Sequence, residues 1–132
     1  MRQHGSILLA AGLGGALGSA LRVLVAWWVY PASEALGFPL ASTLVNILGA
    51  FLIGLLTAAG QPDGRWAMSA PVQAFWLAGF CGGLTTFSFV GLESLLLMLD
   101  RAWWLLAGYW LVSLVGWLLA VSLGYRLGQK LS

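Results

Sequence analysis

Apolar residues fall in four long blocks along this chain, and polar or turn-forming residues collect between them. The blocks run over about 6–30, 40–59, 72–99 and 103–127, and a helix needs about 20 apolar residues to cross a bilayer core. The separators are short: Pro31 to Pro39, Gly60 to Arg65, and Asp100 with Arg101. Clusters of that kind break helices or turn the chain. The pattern predicts one all-α membrane domain over residues 1–132, with four transmembrane helices and almost nothing outside the bilayer.

Composition sharpens this. Of 132 residues, 61% are hydrophobic and 8% are charged, whereas a soluble domain carries about 25% charged residues. The first block is too long for a cleaved signal peptide, and it contains Arg22. The single cysteine, Cys81, excludes an internal disulfide framework and reads as a packing residue inside an apolar run. The formal net charge of +2 comes without a basic cluster, so no nucleic-acid partner is expected. Four helices make a thin bundle with little interior for polar groups. An oligomer follows, most simply a dimer with its site at or near the interface.

With alternating helices, Arg2, Arg65, Arg126 and Lys130 share one side and Arg101 lies on the other, with Arg22 placed near the end of the first helix. The positive-inside rule then puts both termini in the cytoplasm. Arg126 and Lys130 read as snorkelling anchors. Trp27, Trp28, Trp66, Trp103, Trp104 and Trp110 mostly fall where an aromatic belt would lie.

Polar and small residues inside the blocks are the candidates for chemistry. In the first, Ala11, Gly15 and Ser19 share a face beside Gly14 and Gly18, which is small-xxx-small packing; Arg22 follows as either a packing anchor or a vestibule charge. In the second, Ser42, Asn46, Gly49 and Ile53 share a face. Asn46 must find partners in a membrane, either across helices or along a pathway. The third block, FWLAGFCGGLTTFSFVGLESLLLML, holds Gly79, Gly82, Gly83, Thr85, Thr86 and Ser88 near its middle. Glycine pairs disfavour a continuous helix, so an unwound break is expected at Gly82 to Thr86. Such a break aims half-helix N-termini at anions and bare carbonyls at cations. Phe87 and Phe89 follow it, and aromatic edges carry partial positive charge suited to a small anion. Glu93 lies one to two turns on, near the surface or buried with a role. In the fourth block, Tyr109 and Ser113 stand one turn apart and could line a wet track.

These residues resemble a known family. GFCGGLTTFS (Gly79 to Ser88) is similar to the signature of the Fluc/CrcB fluoride channels, as are STLVNILGAFLIG (Ser42 to Gly54) and GGALGSALR (Gly14 to Arg22). The likeness covers nearly the whole chain. It implies an antiparallel, dual-topology dimer that exports fluoride passively through two narrow pores in the plasma membrane, the inner membrane of a bacterium, and lowers fluoride toxicity. It also implies a structural sodium ion at the dimer centre, held by the backbone carbonyls of Gly82 and Thr85. Asn46 maps to the pore asparagine and Phe87 to the first pore phenylalanine. Ser42, Thr86, Ser88, Tyr109 and Ser113 map to the polar lining, and Arg22 and Glu93 to the vestibule. The implied partners are fluoride, membrane lipid and a second subunit, either the same chain or a paralogue.

One departure stands out. The family pattern runs TTFSTF, and here Thr85 to Val90 reads TTFSFV. The second pore phenylalanine falls on Val90, so Phe89 supplies a ring only if the backbone shifts by a residue. The departure makes an alternative of a non-conducting or complementary subunit of a heterodimeric channel; a separate, weaker alternative is a small multidrug-type exporter, also four-helix and dimeric. The latter needs a carboxylate in the first helix, which residues 6–30 lack. No catalytic constellation points to an enzyme.

Overall fold

In a computed structural model, which describes residues 2–62 and 66–131 with side chains from residue 4, the regular elements among the described residues are all helices, without strands. Helix α1 is Arg2–Leu36 and α2 is Leu40–Ala59. The third span comprises α3 (Ala70–Gln73), a π-helical stretch (Ala74–Cys81), α4 (Gly82–Leu84) and α5 (Ser88–Leu99). The last helix, α6, is Trp103–Leu131. Four segments are long and apolar enough to cross a membrane: His4–Leu36, Leu40–Ala59, Ala70–Leu99 and Trp103–Leu131. Arg65 and the side chain of Arg2, both used in the orientation argument, lie outside the described residues.

The first helix overruns its expected end. Pro31 lies inside α1, which continues to Leu36. Proline removes one N–H from the ladder, and flanking turns of an apolar helix carry the chain past it. The stop is Gly37, at φ +58°. Its N–H donates to the Glu34 carbonyl and that of Phe38 to the Ser33 carbonyl, each at 3.2 Å, a Schellman termination. The same motif ends α5. Arg101 takes φ +54°, with Arg101 N–H on the Met98 carbonyl at 3.1 Å and Ala102 N–H on the Leu97 carbonyl at 2.9 Å. The longer α1 takes in the exposed Glu34 and leaves Arg22 about 20 Å short of its end. The placement of Arg22 near the end of the first helix is therefore corrected.

The spans pack as two parallel pairs joined by close backbone approach. A Cβ on Gly14 would lie 2.1 Å from the Phe75 carbonyl oxygen, and one on Gly83 2.4 Å from that of Gly15. Between α2 and α6, a Cβ on Gly54 would lie 2.3 Å from the Val121 oxygen, and one on Gly124 2.1 Å from the Phe51 oxygen. With no room for a methyl group, dispersion contacts accumulate along whole helix faces. Many buried side chains are small, such as Ala58, Ala59 and Ser113, while Leu84 and Val45 are also fully buried and Val90, Leu97 and Tyr109 cluster between α5 and α6. Much of the remaining surface is apolar, including Leu8, Trp28, Trp104 and Leu118, as lipid contact requires. Trp110 departs from the aromatic belt: it is half-buried, and its indole N–H donates to Ser94 Oγ at 3.1 Å.

Candidate functional site at the interruption of the third span

The third span is interrupted at residues 85–87, between α4 and α5. The interruption lies later than the expected Gly82 to Thr86. Gly82 and Gly83 are helical, and Gly83 serves close packing against Gly15. The chain leaves the helix at Thr85, with φ −78° and ψ 157°. The cause is side-chain competition for the backbone. Asn46 clamps Thr86 from both sides: its Nδ2 donates to the Thr86 carbonyl at 2.9 Å, and its Oδ1 accepts the Thr86 N–H at 2.7 Å. Thr86 Oγ1 in turn accepts the Phe89 N–H at 3.3 Å, so Thr86 caps the start of α5. Asn46 and Thr86 are both buried.

A second polar cluster lies one turn away on α2. Ser42 Oγ donates to Glu93 Oε2. Tyr109 Oη donates to the same oxygen at 2.6 Å, and the two hydroxyls are 3.2 Å apart. Three helices thus share one carboxylate. The Phe38 ring meets Tyr109 edge-on at 5.7 Å, closing the site on that side. Ser113, one turn along α6 from Tyr109, is fully buried, and its Oγ has no hydrogen-bond partner among the described residues. Ser88 is exposed and lies 3.3 Å, oxygen to oxygen, from Thr86 Oγ1.

Two cavities flank these clusters, and Thr86 borders both. A cleft of about 560 Å³ is lined by Asn46, Gly49, Cys81, Gly82, Thr85 and Phe87 among others. A smaller pocket of about 250 Å³ is lined by Arg22, Ser42, Phe89 and Glu93 among others. Arg22 Nη1 donates to the Thr85 carbonyl at 3.4 Å, and its guanidinium stands 5.8 Å from the centre of the Phe89 ring. Arg22 and Glu93 border the same pocket, yet each is engaged by other groups. Asn46, of the two clamped residues, lines the larger cleft alone. Of the four residues grouped on one face of α2, Ser42, Asn46 and Gly49 are buried, and Ile53 is 39% exposed.

The two phenylalanines diverge. Phe87 is 69% exposed and packs its ring against Trp110 at 6.3 Å. Phe89 turns into the smaller pocket. Val90 is completely buried against Leu97 and Tyr109, so within this subunit it borders neither cavity. Sequence reasoning missed the Trp110–Ser94 link and the α6 stripe of Gly116, Ala120, Gly124 and Gly128. The stripe's four-residue spacing is visible in the sequence. The link crosses helices and leaves no spacing signal.

The main-chain oxygens of Gly82 and Thr85 belong to residues that line the same cleft. Carbonyl oxygen is the donor type that hard cations take, so the chemistry fits a small cation. One subunit offers two such oxygens, and Arg22 already donates to one of them. A complete shell would need a second subunit.

Residues 9–125 match the family described as CrcB-like protein, Camphor Resistance (CrcB). The chain is 39% identical over 117 residues to the fluoride-specific ion channel FluC of Chlorobium chlorochromatii, covering 89% of this chain and 88% of that protein. It is 36% identical over 129 residues to FluC of Prosthecochloris aestuarii, covering 98% of each. It is 39% identical over 131 residues to FluC 1 of Mycolicibacterium paratuberculosis, covering 98% of this chain and 96% of that one.

Proposed function

The chain belongs to the CrcB-like family and is a multi-pass membrane protein; from that premise we propose that it is a fluoride-selective channel of the plasma membrane, letting fluoride leave the cytoplasm down its gradient. The relatives at 36–39% identity are named as fluoride-specific channels, and the family reading is conduction rather than catalysis. One observation carries the assignment: polar groups from α2, α5 and α6 converge on Glu93, one turn along α2 from the Asn46–Thr86 contact at the interruption. Fluoride is small and strongly hydrated, so its water must be replaced by close donors. Ser42, Tyr109, Ser113, Thr86 and Ser88 offer hydroxyls, Asn46 an amide, and the first turn of α5 its free backbone N–H groups with the positive end of its dipole.

The roles along the path follow from these positions. Phe87 meets the ion in the larger cleft, where ring edges supply weak positive potential. Ser42 and Glu93 form the polar wall of the smaller pocket, with Tyr109 behind them donating to Glu93, and Arg22 raises the local anion concentration there. The interruption lies at mid-membrane depth, and the working unit is an antiparallel dimer whose two subunits insert in opposite senses, in a bacterial inner membrane. The Gly82 and Thr85 carbonyls would hold a structural sodium ion, which would supply fixed positive charge, and Arg22 would have to release the Thr85 carbonyl for it; Asn46 and Thr86 hold the backbone that presents those oxygens. The relatives favour neither the complementary-subunit nor the multidrug-exporter alternative.

Fluoride efflux from liposomes holding this chain alone, with chloride as the control anion, tests the assignment. Fluoride is expected to leave within the assay and chloride to remain, and Asn46→Ala is expected to abolish the flux. Retention of fluoride by the unaltered chain, or equal release of both anions, would sink it.

A further inference from the structure

Two neighbouring residues of α6 reach two neighbouring residues of α5. Tyr109 donates to Glu93 at 2.6 Å, and the Trp110 indole N–H donates to Ser94 Oγ at 3.1 Å. Ser94 in turn donates to the Val90 carbonyl at 2.6 Å, one turn back on its own helix. The indole also packs against the Val90, Leu97 and Tyr109 cluster. A hydrogen bond therefore fixes one atom of the indole, and core contact fixes the rest. The Tyr109 half of this pairing ends at the carboxylate of the polar site. The Trp110 half ends on another side chain: the Phe87 ring stands 6.3 Å from the indole, with 72° between the two planes.

Phe87 needs such a support. Its backbone directly follows Thr86, which Asn46 holds from both sides, and its carbonyl accepts the Gly91 N–H in the first turn of α5 at 3.1 Å. Its side chain is freer, because it is 69% exposed and lines the larger cleft. Staggered rotamers leave such a ring several orientations. Crossed rings at this separation attract one another, so the indole favours one orientation over the rest. Resting on the fluoride-channel reading, we propose that Trp110 is a positioning residue for the anion path: anchored by Ser94, it holds the Phe87 ring in place in the larger cleft without lining that cleft itself. Loss of the indole leaves the backbone of the interruption where Asn46 put it, but lets the ring turn away.

The test measures the half-saturating fluoride concentration, separately from the maximal rate, in liposomes holding wild type, Trp110→Leu, Trp110→Phe, Ser94→Ala, and the double variant Ser94→Ala with Trp110→Phe. Trp110→Leu removes the ring contact and is expected to raise the half-saturating concentration about fivefold, the scale of one edge-on aromatic pair. Trp110→Phe and Ser94→Ala each break the hydrogen bond but keep a ring, and each is expected to raise it about twofold. The double variant is expected to match Trp110→Phe, because both changes break the same bond. A role in folding alone would lower the maximal rate and leave the half-saturating concentration unmoved. That result overturns the proposal, as does a double variant in which the two effects multiply. Fluorine magnetic resonance of protein carrying 4-fluorophenylalanine in place of Phe87 reads the ring itself. Its signal is expected to move in Trp110→Leu and, in the same direction, in Ser94→Ala; a signal unchanged in both overturns the proposal even where flux is lost. Failure of the proposal alone leaves wild-type fluoride flux intact, whereas a wild-type chain that carries no fluoride overturns the channel reading as well.

Discussion

Replacing Asn46 by alanine strips both partners from one peptide unit. The Asn46 amide donates to the Thr86 carbonyl at 2.9 Å and accepts the Thr86 N–H at 2.7 Å, and the side chain is 6% exposed. Two limits bracket the cost. Interhelical hydrogen bonds between membrane helices average about 0.6 kcal/mol each, so two of them set a floor near 1.2 kcal/mol. A buried peptide group left unpaired costs about 1–3 kcal/mol per donor or acceptor, so two set a ceiling near 6 kcal/mol. Asn46 and Thr86 both border the larger cleft, and water there relieves part of the loss. The expected destabilisation is therefore about 2–4 kcal/mol. Asn46→Asp refines the test. It keeps an oxygen for the Thr86 N–H but sets a second oxygen against the Thr86 carbonyl, so it recovers less than half of the loss. The assay is reversible unfolding in mixed micelles at one fixed protein concentration, so that the mass-action term of any dimer is held constant between variants. An Asn46→Ala protein within about 0.5 kcal/mol of wild type, the usual range for surface substitutions, would refute the clamp. So would an aspartate variant as stable as wild type.

Other expectations follow from single contacts. Gly83→Ala and Gly124→Ala each place a methyl within 2.4 Å of a facing backbone oxygen, and overpacking of that kind costs about 1–3 kcal/mol, read in the same unfolding assay. Gly37→Ala meets no steric neighbour but sits at φ +58°, so it costs about 1 kcal/mol from backbone strain alone. Arg101→Gly at φ +54° gains a similar amount, and opposite signs for these two helix ends would be measured side by side. Tyr109→Phe removes the 2.6 Å bond to Glu93, and fluoride flux is expected to fall by about tenfold, the equivalent of one charge-assisted hydrogen bond, while the helical content by circular dichroism stays unchanged.

The four spans were legible because lipid demands long apolar runs, and their number needed no tertiary information. Their ends were harder. Pro31 reads as a stop, yet α1 passes through it, and Gly37 is what ends the helix by taking a left-handed conformation. In the third span the glycines suggested where the chain unwinds, but Gly82 and Gly83 stay helical and Gly83 admits the α1 backbone. The interruption begins at Thr85 because Asn46, forty residues earlier in the chain, takes the Thr86 N–H and carbonyl. A contact at that separation has no local signature. The polar candidates on α2 and α6 were visible as unusual residues in apolar runs, and Ser42 and Tyr109 meet Glu93. That Phe89 stays half-exposed while Val90 is buried was not visible, since facing direction on α5 depends on where that helix begins.

A planar-bilayer recording would test conduction most directly, with this chain as the sole protein, a tenfold fluoride gradient, and chloride equal on both sides. Passive, selective permeation predicts a current that reverses at the fluoride equilibrium potential, about 59 mV in magnitude for one charge, and that shifts as the gradient is changed. A reversal at zero, or no current except with a proton gradient imposed, would contradict the account.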